Sequence, residues 1–182
     1  ELAIGSIRLG MRVYVAVHGS LDAPLLLGSC APDSVLGFSG HLHRGDTIDV
    51  EPGPVRIYHS PLGLPVMRAA VSQPGFSDHW RIPVTDGPDR AQFGAGAERL
   101  HAGRFVIGTN SNHVGLRLSP EPGASVPVRE RTDEVLSRGV PIGAVEVPAG
   151  SELLVLHRGR GVTAGYPVLA VVTRVGLSLL GQ

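Results

Sequence analysis

The chain has 182 residues, 42% of them hydrophobic, and its 16 basic and 16 acidic side chains give a formal net charge of zero at pH 7. This length and composition favour one globular domain with a buried core and exclude a disordered chain. Because arginines and acidic residues are interspersed, nucleic acid and anionic membranes are excluded as expected partners.

Runs of apolar residues bounded by Gly, Pro and Asp predict about nine short strands. The content of 25 Gly and 15 Pro fits many tight turns between short elements. In chain order, the predicted strands are residues 12–17, 47–50, 55–58, 80–84, 104–107, 114–118, 142–147, 152–156 and 168–175.

One segment, residues 89–102, predicts a helix, because Phe93, Ala97 and Leu100 share a face and Gly103 follows. Residues 129–136 predict a second short helical turn. Short strands with one or two short helices are typical of a closed or partly closed β-barrel. We therefore predict a mainly β protein.

All 16 basic residues are arginine. Without lysine, the chain has no P-loop lysine, no Schiff-base lysine and no attachment point for biotin. Its one cysteine, Cys30, cannot form an internal disulfide and has no activating neighbour in the sequence, so we expect a reducing cytoplasm and no catalytic thiol. No apolar run reaches the roughly 18 to 20 residues that span a bilayer, so no membrane association is expected.

Residues 160–172 contain a Thr-Ala-Gly-Tyr-Pro turn that leads directly into a β-branched apolar strand. This segment resembles the Thr-Gly-Gly-Tyr-Pro turn and following strand of the family called allophanate hydrolase subunit 2, also known as the C subunit of 5-oxoprolinase. Gly165 can adopt backbone angles closed to other residues, and Pro167 fixes the angle at which the strand leaves. Such a turn aims Tyr166 at whatever lies over the strand end.

Further segments resemble the same family in the same order along the chain. Residues 137–148 resemble the family sequence Ser-Glu-Gly-Val-Val-Pro-Gly-Ala-Val-Gln-Val-Pro, and residues 27–33, 42–46 and 84–93 resemble further loops and strands. Segments 5–19 and 111–118 keep family residues, which are Arg8, Gly10, Arg12, Tyr14, Ser111, Gly115, Arg117 and Leu118. The chain is therefore identified as a member that resembles the carboxyl-terminal part of the family, and we expect the family's amino-terminal part to be absent.

The resemblance implies a single cyclophilin-like, carboxyltransferase-type β-barrel domain over residues 1–182. It also implies a cytoplasmic component of an ATP-dependent 5-oxoprolinase or of a biotin-dependent carboxyltransferase. Such a component would act on a small amide or ureido substrate together with a sister subunit of similar fold, of the type called allophanate hydrolase subunit 1 or the B subunit of 5-oxoprolinase. No cofactor is expected on this chain, ATP would act in the assembled complex, and a partner would have to carry any biotin.

Two other functions fit the same resemblance. The first is a regulatory protein that antagonises a kinase inhibitor without catalysis of its own. The second is a structural barrel that only stabilises its partner.

The chain departs from the family at several loop positions. Asn112, His113 and Val114 replace Asp-Arg-Met, Leu116 replaces an aromatic residue, Ala164 replaces a glycine, and Arg138 stands where glutamate is common. These departures indicate a changed substrate or a purely structural role.

The expected substrate-binding residues are Arg8, Arg12, Tyr14, Arg117, Thr163, Gly165 and Tyr166. An arginine in an apolar strand needs a carboxylate partner, so Arg117 either forms an internal ion pair or binds an anion, and the same two alternatives apply to Arg8 and Arg12. Tyr166 either hydrogen-bonds a substrate carbonyl or is a half-buried aromatic at the barrel mouth.

Histidines at two places in the chain are candidates for chemistry. His113 either acts as an acid or base near neutral pH or caps its loop. His41 and His43 have the spacing of a metal pair but lack a third ligand, so we predict a solvated loop and no metal site.

Overall fold

The computed structural model describes residues 2–7, 10–33, 36–38, 40–53, 75, 77, 79–131 and 133–181. Two compact units divide the chain, one formed by Glu1–Arg12 with Gly75–Gln182 and the other by Val13–Pro74. Within the described ranges, every helix is too short or too polar to cross a bilayer.

The smaller unit contains an antiparallel pair of strands, β1 (Ser20–Asp22) and β2 (Asp49–Glu51). Gly19, with φ 129°, precedes β1, and an added Cβ would lie 2.1 Å from the Glu51 carbonyl oxygen. Only glycine fits so close an approach of two backbones.

The described residues of the larger unit form eight short strands. They are β3 (Val84–Asp86), β4 (Phe105–Ile107), β5 (Gly115–Pro120), β6 (Arg138–Gly139), β7 (Ala144–Glu146), β8 (Leu153–Leu156), β9 (Thr163–Ala164) and β10 (Val168–Val172). Six of them form an antiparallel sheet in the order β3-β10-β7-β8-β5-β4. Its central strands are rich in Val and Leu, as expected for strands that are covered on both faces.

The alternation of side chains along these strands divides the core between the two faces of the sheet. On β8, Leu153 and Val155 belong to the larger apolar cluster, together with Phe93. The intervening Leu154, and Leu156, belong to a smaller cluster on the other face. Successive side chains of a strand point to opposite faces, so both faces of this sheet need a cover.

The remaining two strands of the larger unit form a separate ribbon. It pairs β6 with β9, so that Arg138 faces Ala164. Val140 and Ala164 belong to the smaller apolar cluster, which places the ribbon beside that face of the sheet. The sequence did not predict this ribbon.

The predicted helix over residues 89–102 forms, but mainly as a 3-10 helix. Arg90–Glu98 is 3-10 and only Arg99–Ala102 (α1) is α-helical. Gly94 has φ 49° and interrupts the regular winding, as a glycine inside a helix readily does. Phe93 and Ala97 are buried as predicted.

The second predicted helical turn, over residues 129–136, is wrong for its described residues, which form no helix. Instead, the Glu130 N–H donates to the Gln92 carbonyl (2.8 Å), which ties this segment to the 3-10 helix. Arg129 and Arg131 both donate to Asp133. These tertiary contacts replace the local bonds of a helical turn.

The prediction of a mainly β protein is confirmed, but the sheet is not closed into a barrel. Its edge strands β3 and β4 pair with one neighbour each among the described residues. The cyclophilin-like form and the single-domain organisation stay predictions.

Most predicted strands of the larger unit form, with shifted ends. The predicted strand 80–84 overlaps β3 only at Val84. In the smaller unit, the predicted strand 47–50 overlaps β2. Residues 12–17 are not a strand, and Val13, Tyr14, Val15 and Val17 are exposed. An apolar alternation forms a strand only where a neighbouring strand pairs with it. The predicted strand 55–58 lies outside the described residues.

Candidate functional site

The Thr163–Tyr166 turn joins the ribbon to the sheet. Thr163 is in β9, and the Pro167 carbonyl accepts a hydrogen bond from the Val147 N–H (3.0 Å) immediately before β10 begins. A Cβ added at Gly165 would lie 3.3 Å from Ser137 Oγ, so the turn packs closely beside the start of β6. Tyr166 is 47% exposed, which leaves part of its ring accessible.

Behind this turn, Asp89 anchors the first residue of β10 and the ribbon. It is 3% exposed. Its Oδ2 accepts hydrogen bonds from the Val168 N–H (2.7 Å) and from Arg138, and its Oδ1 accepts one from Gln92 Nε2 (2.9 Å). A buried carboxylate with this many donors is well compensated.

Glu146, the last residue of β7, is buried near Arg138. It is 1% exposed, and its Oε1 has no hydrogen-bond partner among the described residues. Burial raises the pKa of Glu146 to about 7, although the Arg138 guanidinium opposes the rise. A buried carboxyl with such a pKa can hold a proton at neutral pH.

The sequence analysis missed Glu146 and Asp89 as members of a charged cluster. A signal was present, because Arg138 and Glu146 stand where the family sequence that resembles residues 137–148 has Glu and Gln. Arg138 and Glu146 lie close together in the fold, so these two departures from the family sequence are neighbours in space. We call Asp89, Arg138 and Glu146 the acidic cluster.

A second charged cluster surrounds His157, which directly follows β8 and is 6% exposed. Arg12 Nη1 lies 3.0 Å from His157 Nε2, although 145 positions separate the two residues. The Arg158 N–H donates to His157 Nδ1 (2.8 Å). The Gly159 N–H donates to the His113 carbonyl (2.9 Å), which holds the His113 loop beside this turn. We call Arg12, His113, His157 and Arg158 the basic cluster.

The surroundings of His157 favour its neutral ring. Burial lowers the pKa of His157, and the charges of Arg12, Arg158 and His113 lower it further. A neutral ring can accept a hydrogen bond at one of its two nitrogens, whereas an imidazolium can accept at neither. The structure therefore joins two predicted residues, Arg12 and His113, around a histidine that the sequence analysis did not single out.

Other predicted site residues lie outside both clusters. Arg117 is in β5, is about half exposed, and approaches Glu152 with an N–O distance of 3.9 Å. Tyr14 is 85% exposed and belongs to the smaller unit. Arg8 lies outside the described residues. Within the described ranges, no hydrogen bond or ion pair links Arg12, Arg117 and Tyr166.

The described residues contain no group of three or more metal-ligating side chains. His43 Nδ1 lies 3.7 Å from Asp46 Oδ2 in an exposed loop of the smaller unit. Cys30 is exposed, in the same unit.

A cavity of about 900 Å³ lies within the larger unit, on the side of the larger apolar cluster. Its lining is mostly apolar and includes Leu116, Val145, Val155 and Leu180. Its volume is in the range of small-molecule sites. None of the predicted site residues that the structure describes lines it, although His79, His101 and Glu121 are among its polar lining residues.

The fold and the Thr163–Tyr166 turn agree with the relationship that the sequence motifs indicated. All of residues 1–182 match the family model described as carboxyltransferase domain, subdomain A and B. The chain therefore belongs to this family.

Named relatives narrow the relationship. The C subunit of 5-oxoprolinase from Escherichia coli (strain K12) is 28% identical over 180 residues, which cover 95% of this chain and 53% of that protein. The protein of the same name from Haemophilus influenzae is 24% identical over 187 residues, covering 100% of this chain and 55% of the relative. Urea amidolyase of Saccharomyces cerevisiae is 28% identical over 129 residues, covering 66% of this chain and 7% of that protein. The chain thus spans about half the length of the two 5-oxoprolinase relatives.

Among solved structures, the crystal structure of TTHA0988 superposes with a TM-score of 0.67 at 30% identity. The superposition covers 90% of this chain and 29% of the other. This similarity supports the fold described above.

Proposed function

We propose that this chain is part of a multi-subunit enzyme of the 5-oxoprolinase type, which hydrolyses a small amide with the help of ATP. The observation that carries the proposal is the similarity to the Escherichia coli 5-oxoprolinase protein, which extends over 95% of this chain. Because that relative is named as one subunit among others, it supports a partner, and we propose a sister protein of the 5-oxoprolinase B type. ATP would act in the assembled complex and would not need a lysine of this chain.

The proposed substrate class is a small cyclic amide or a ureido compound. The similarity to urea amidolyase supports the ureido alternative. Substrates of both kinds present a carbonyl oxygen, and 5-oxoproline also carries a carboxylate. The half-exposed Tyr166 would donate its hydroxyl proton to the carbonyl, and arginine would bind the carboxylate.

Arg117 remains a candidate for this carboxylate. The N–O distance of 3.9 Å between Arg117 and Glu152 is at the limit for an ion pair, and both side chains are about half exposed. Such pairs contribute little to stability. The guanidinium of Arg117 is therefore available for a substrate at small cost.

The experiment that tests this proposal measures ATP-dependent conversion of 5-oxoproline to glutamate. The full-length protein is purified together with its sister subunits, and the same sister subunits without it are the comparison. Turnover that requires this protein supports the proposal. A stable complex without turnover contradicts it, and urea-dependent ATP consumption or tight binding of a kinase inhibitor would identify the alternative functions.

Variants in the same complex test the residue assignments. Tyr166→Phe should lower turnover about tenfold, the value of one lost hydrogen bond in the transition state, and Arg117→Ala should raise the KM for 5-oxoproline. Arg174→Ala is the matched control because Arg174 is exposed and forms no ion pair within the described ranges. Full turnover by the Arg117 and Tyr166 variants would contradict the assignments but not the function.

A further inference from the structure

The basic cluster brings positive charge together, and none of the carboxylates that the structure describes forms an ion pair with it. Its members come from three separate segments: Arg12 from the start of the chain, His113 from the β4–β5 loop, and His157 with Arg158 from the turn after β8. Like charges held close together oppose folding unless a counter-charge joins them.

Hydrogen-bond donors in this cluster also outnumber acceptors. The Arg12 guanidinium has five N–H donors, and within the described ranges its one hydrogen-bond partner is His157. The exposed Arg158 side chain forms no hydrogen bond with other described residues. Guanidinium groups match the two oxygens of a carboxylate or phosphoryl group.

We propose that Arg12, His157 and Arg158 form a binding site for one anionic group of a small molecule, a carboxylate or a phosphoryl group. The existence of the site does not depend on the proposed function. Only the identity of the molecule that carries the anionic group rests on it. The half-buried Arg12 would provide the main ion pair, Arg158 a second one at the surface, and the buried His157 the inner wall of the site. His113, held beside Gly159, would border the opening.

Binding of an anion should change the protonation of His157. The positive neighbours now oppose a proton on the ring, and an added negative charge would offset them. By linkage, the anion should then bind more tightly as the pH falls through the titration of His157. This coupling distinguishes a site at His157 from anion binding elsewhere on the surface.

The test is an NMR titration of the histidine rings in the intact chain, with inorganic phosphate and with acetate as probes and sodium chloride to keep the ionic strength constant. The His157 midpoint should move to higher pH by about one unit at saturation. Arg12→Gln should weaken the apparent affinity about tenfold or more, whereas the exposed control Arg174→Gln should leave it unchanged. Tighter binding of phosphate would identify a phosphoryl site, and tighter binding of acetate would identify a carboxylate site.

An unchanged His157 midpoint with both anions would overturn the inference. So would equal movements of His157 and the exposed His41 and His43, because they would show a general salt effect. The titration of the wild-type protein tests the inference even if the Arg12→Gln variant does not fold. Anion binding without 5-oxoproline turnover in the complex would overturn only the proposed function, and turnover without anion binding would overturn only this site.

Discussion

The acidic and basic clusters both place arginine beside a buried titratable side chain, yet their charge balance differs. In the acidic cluster, Arg138 donates to Asp89, and its charge acts on the nearby carboxyl group of Glu146. In the basic cluster, Arg12 and Arg158 flank His157, and the described residues add no carboxylate. The comparison shows that the charges around an arginine decide its role: the acidic cluster fastens the ribbon to the sheet, and the basic cluster has donors left for a ligand.

The largest expected effect follows from removing the acceptor at the centre of the acidic cluster. Asp89→Ala leaves the Val168 N–H without its acceptor and Arg138 without its counter-charge. We expect the free energy of unfolding to fall by about 3 kcal/mol, measured by urea denaturation. The control Asp133→Ala removes an exposed ion-pair acceptor and should cost about 0.5 kcal/mol or less. Equal losses in the two variants would show that Asp89 is not an anchor.

A smaller effect is expected from a methyl group in the basic cluster. A Cβ at residue 159 would lie 2.2 Å from His113 Cδ2 and 2.9 Å from the His113 carbonyl oxygen. Gly159→Ala should therefore displace the His113 loop and lower the unfolding free energy by about 1–2 kcal/mol, with changed NMR signals of His113 and His157. Gly139→Ala is the matched control, because a Cβ there meets open space. Unchanged histidine signals in Gly159→Ala would mean that the cluster does not depend on this close contact.

The smallest expected effect is a pH dependence. Glu146 has its pKa raised from 4.5 to about 7, so the folded state holds the proton more tightly and stability falls as the pH rises from 4.5 through 7. Glu146→Gln removes this loss of up to about 3 kcal/mol, but burying the uncharged amide offsets part of the gain, so the variant should be more stable than the wild type at pH 8 by about 1 kcal/mol. Thermal unfolding of both proteins at pH 5 and pH 8 measures this difference. His157 contributes to the pH dependence of stability with the opposite sign, and this contribution cancels because it is present in both proteins.

Glu134→Gln is the control for that measurement, because Glu134 is exposed. It should follow the wild type at both pH values. If Glu146→Gln also follows the wild type, the carboxyl group of Glu146 is not desolvated in the folded state.

The sequence predicted the central strands well, because β5, β8 and β10 are apolar runs bounded by turn residues. It failed for residues 12–17, where the same kind of alternation is largely exposed and pairs with no strand among the described residues. A pattern shows which residues could form a strand, whereas a partner strand at the right register decides whether they do. The 3-10 winding of residues 90–98 likewise depends on Gly94 and on packing of Phe93, not on periodicity alone.

For the candidate sites, the sequence determined the family, the mainly β class and the turn that carries Tyr166, because these depend on residue types at fixed local spacing. It also marked Arg12 and His113 as residues with available chemistry. Only the tertiary structure decided that these two meet at His157, and that Arg138 lies close to both Asp89 and Glu146. The physical reason is that electrostatic balance depends on distance and burial, and folding brings together charges up to 145 positions apart in the chain.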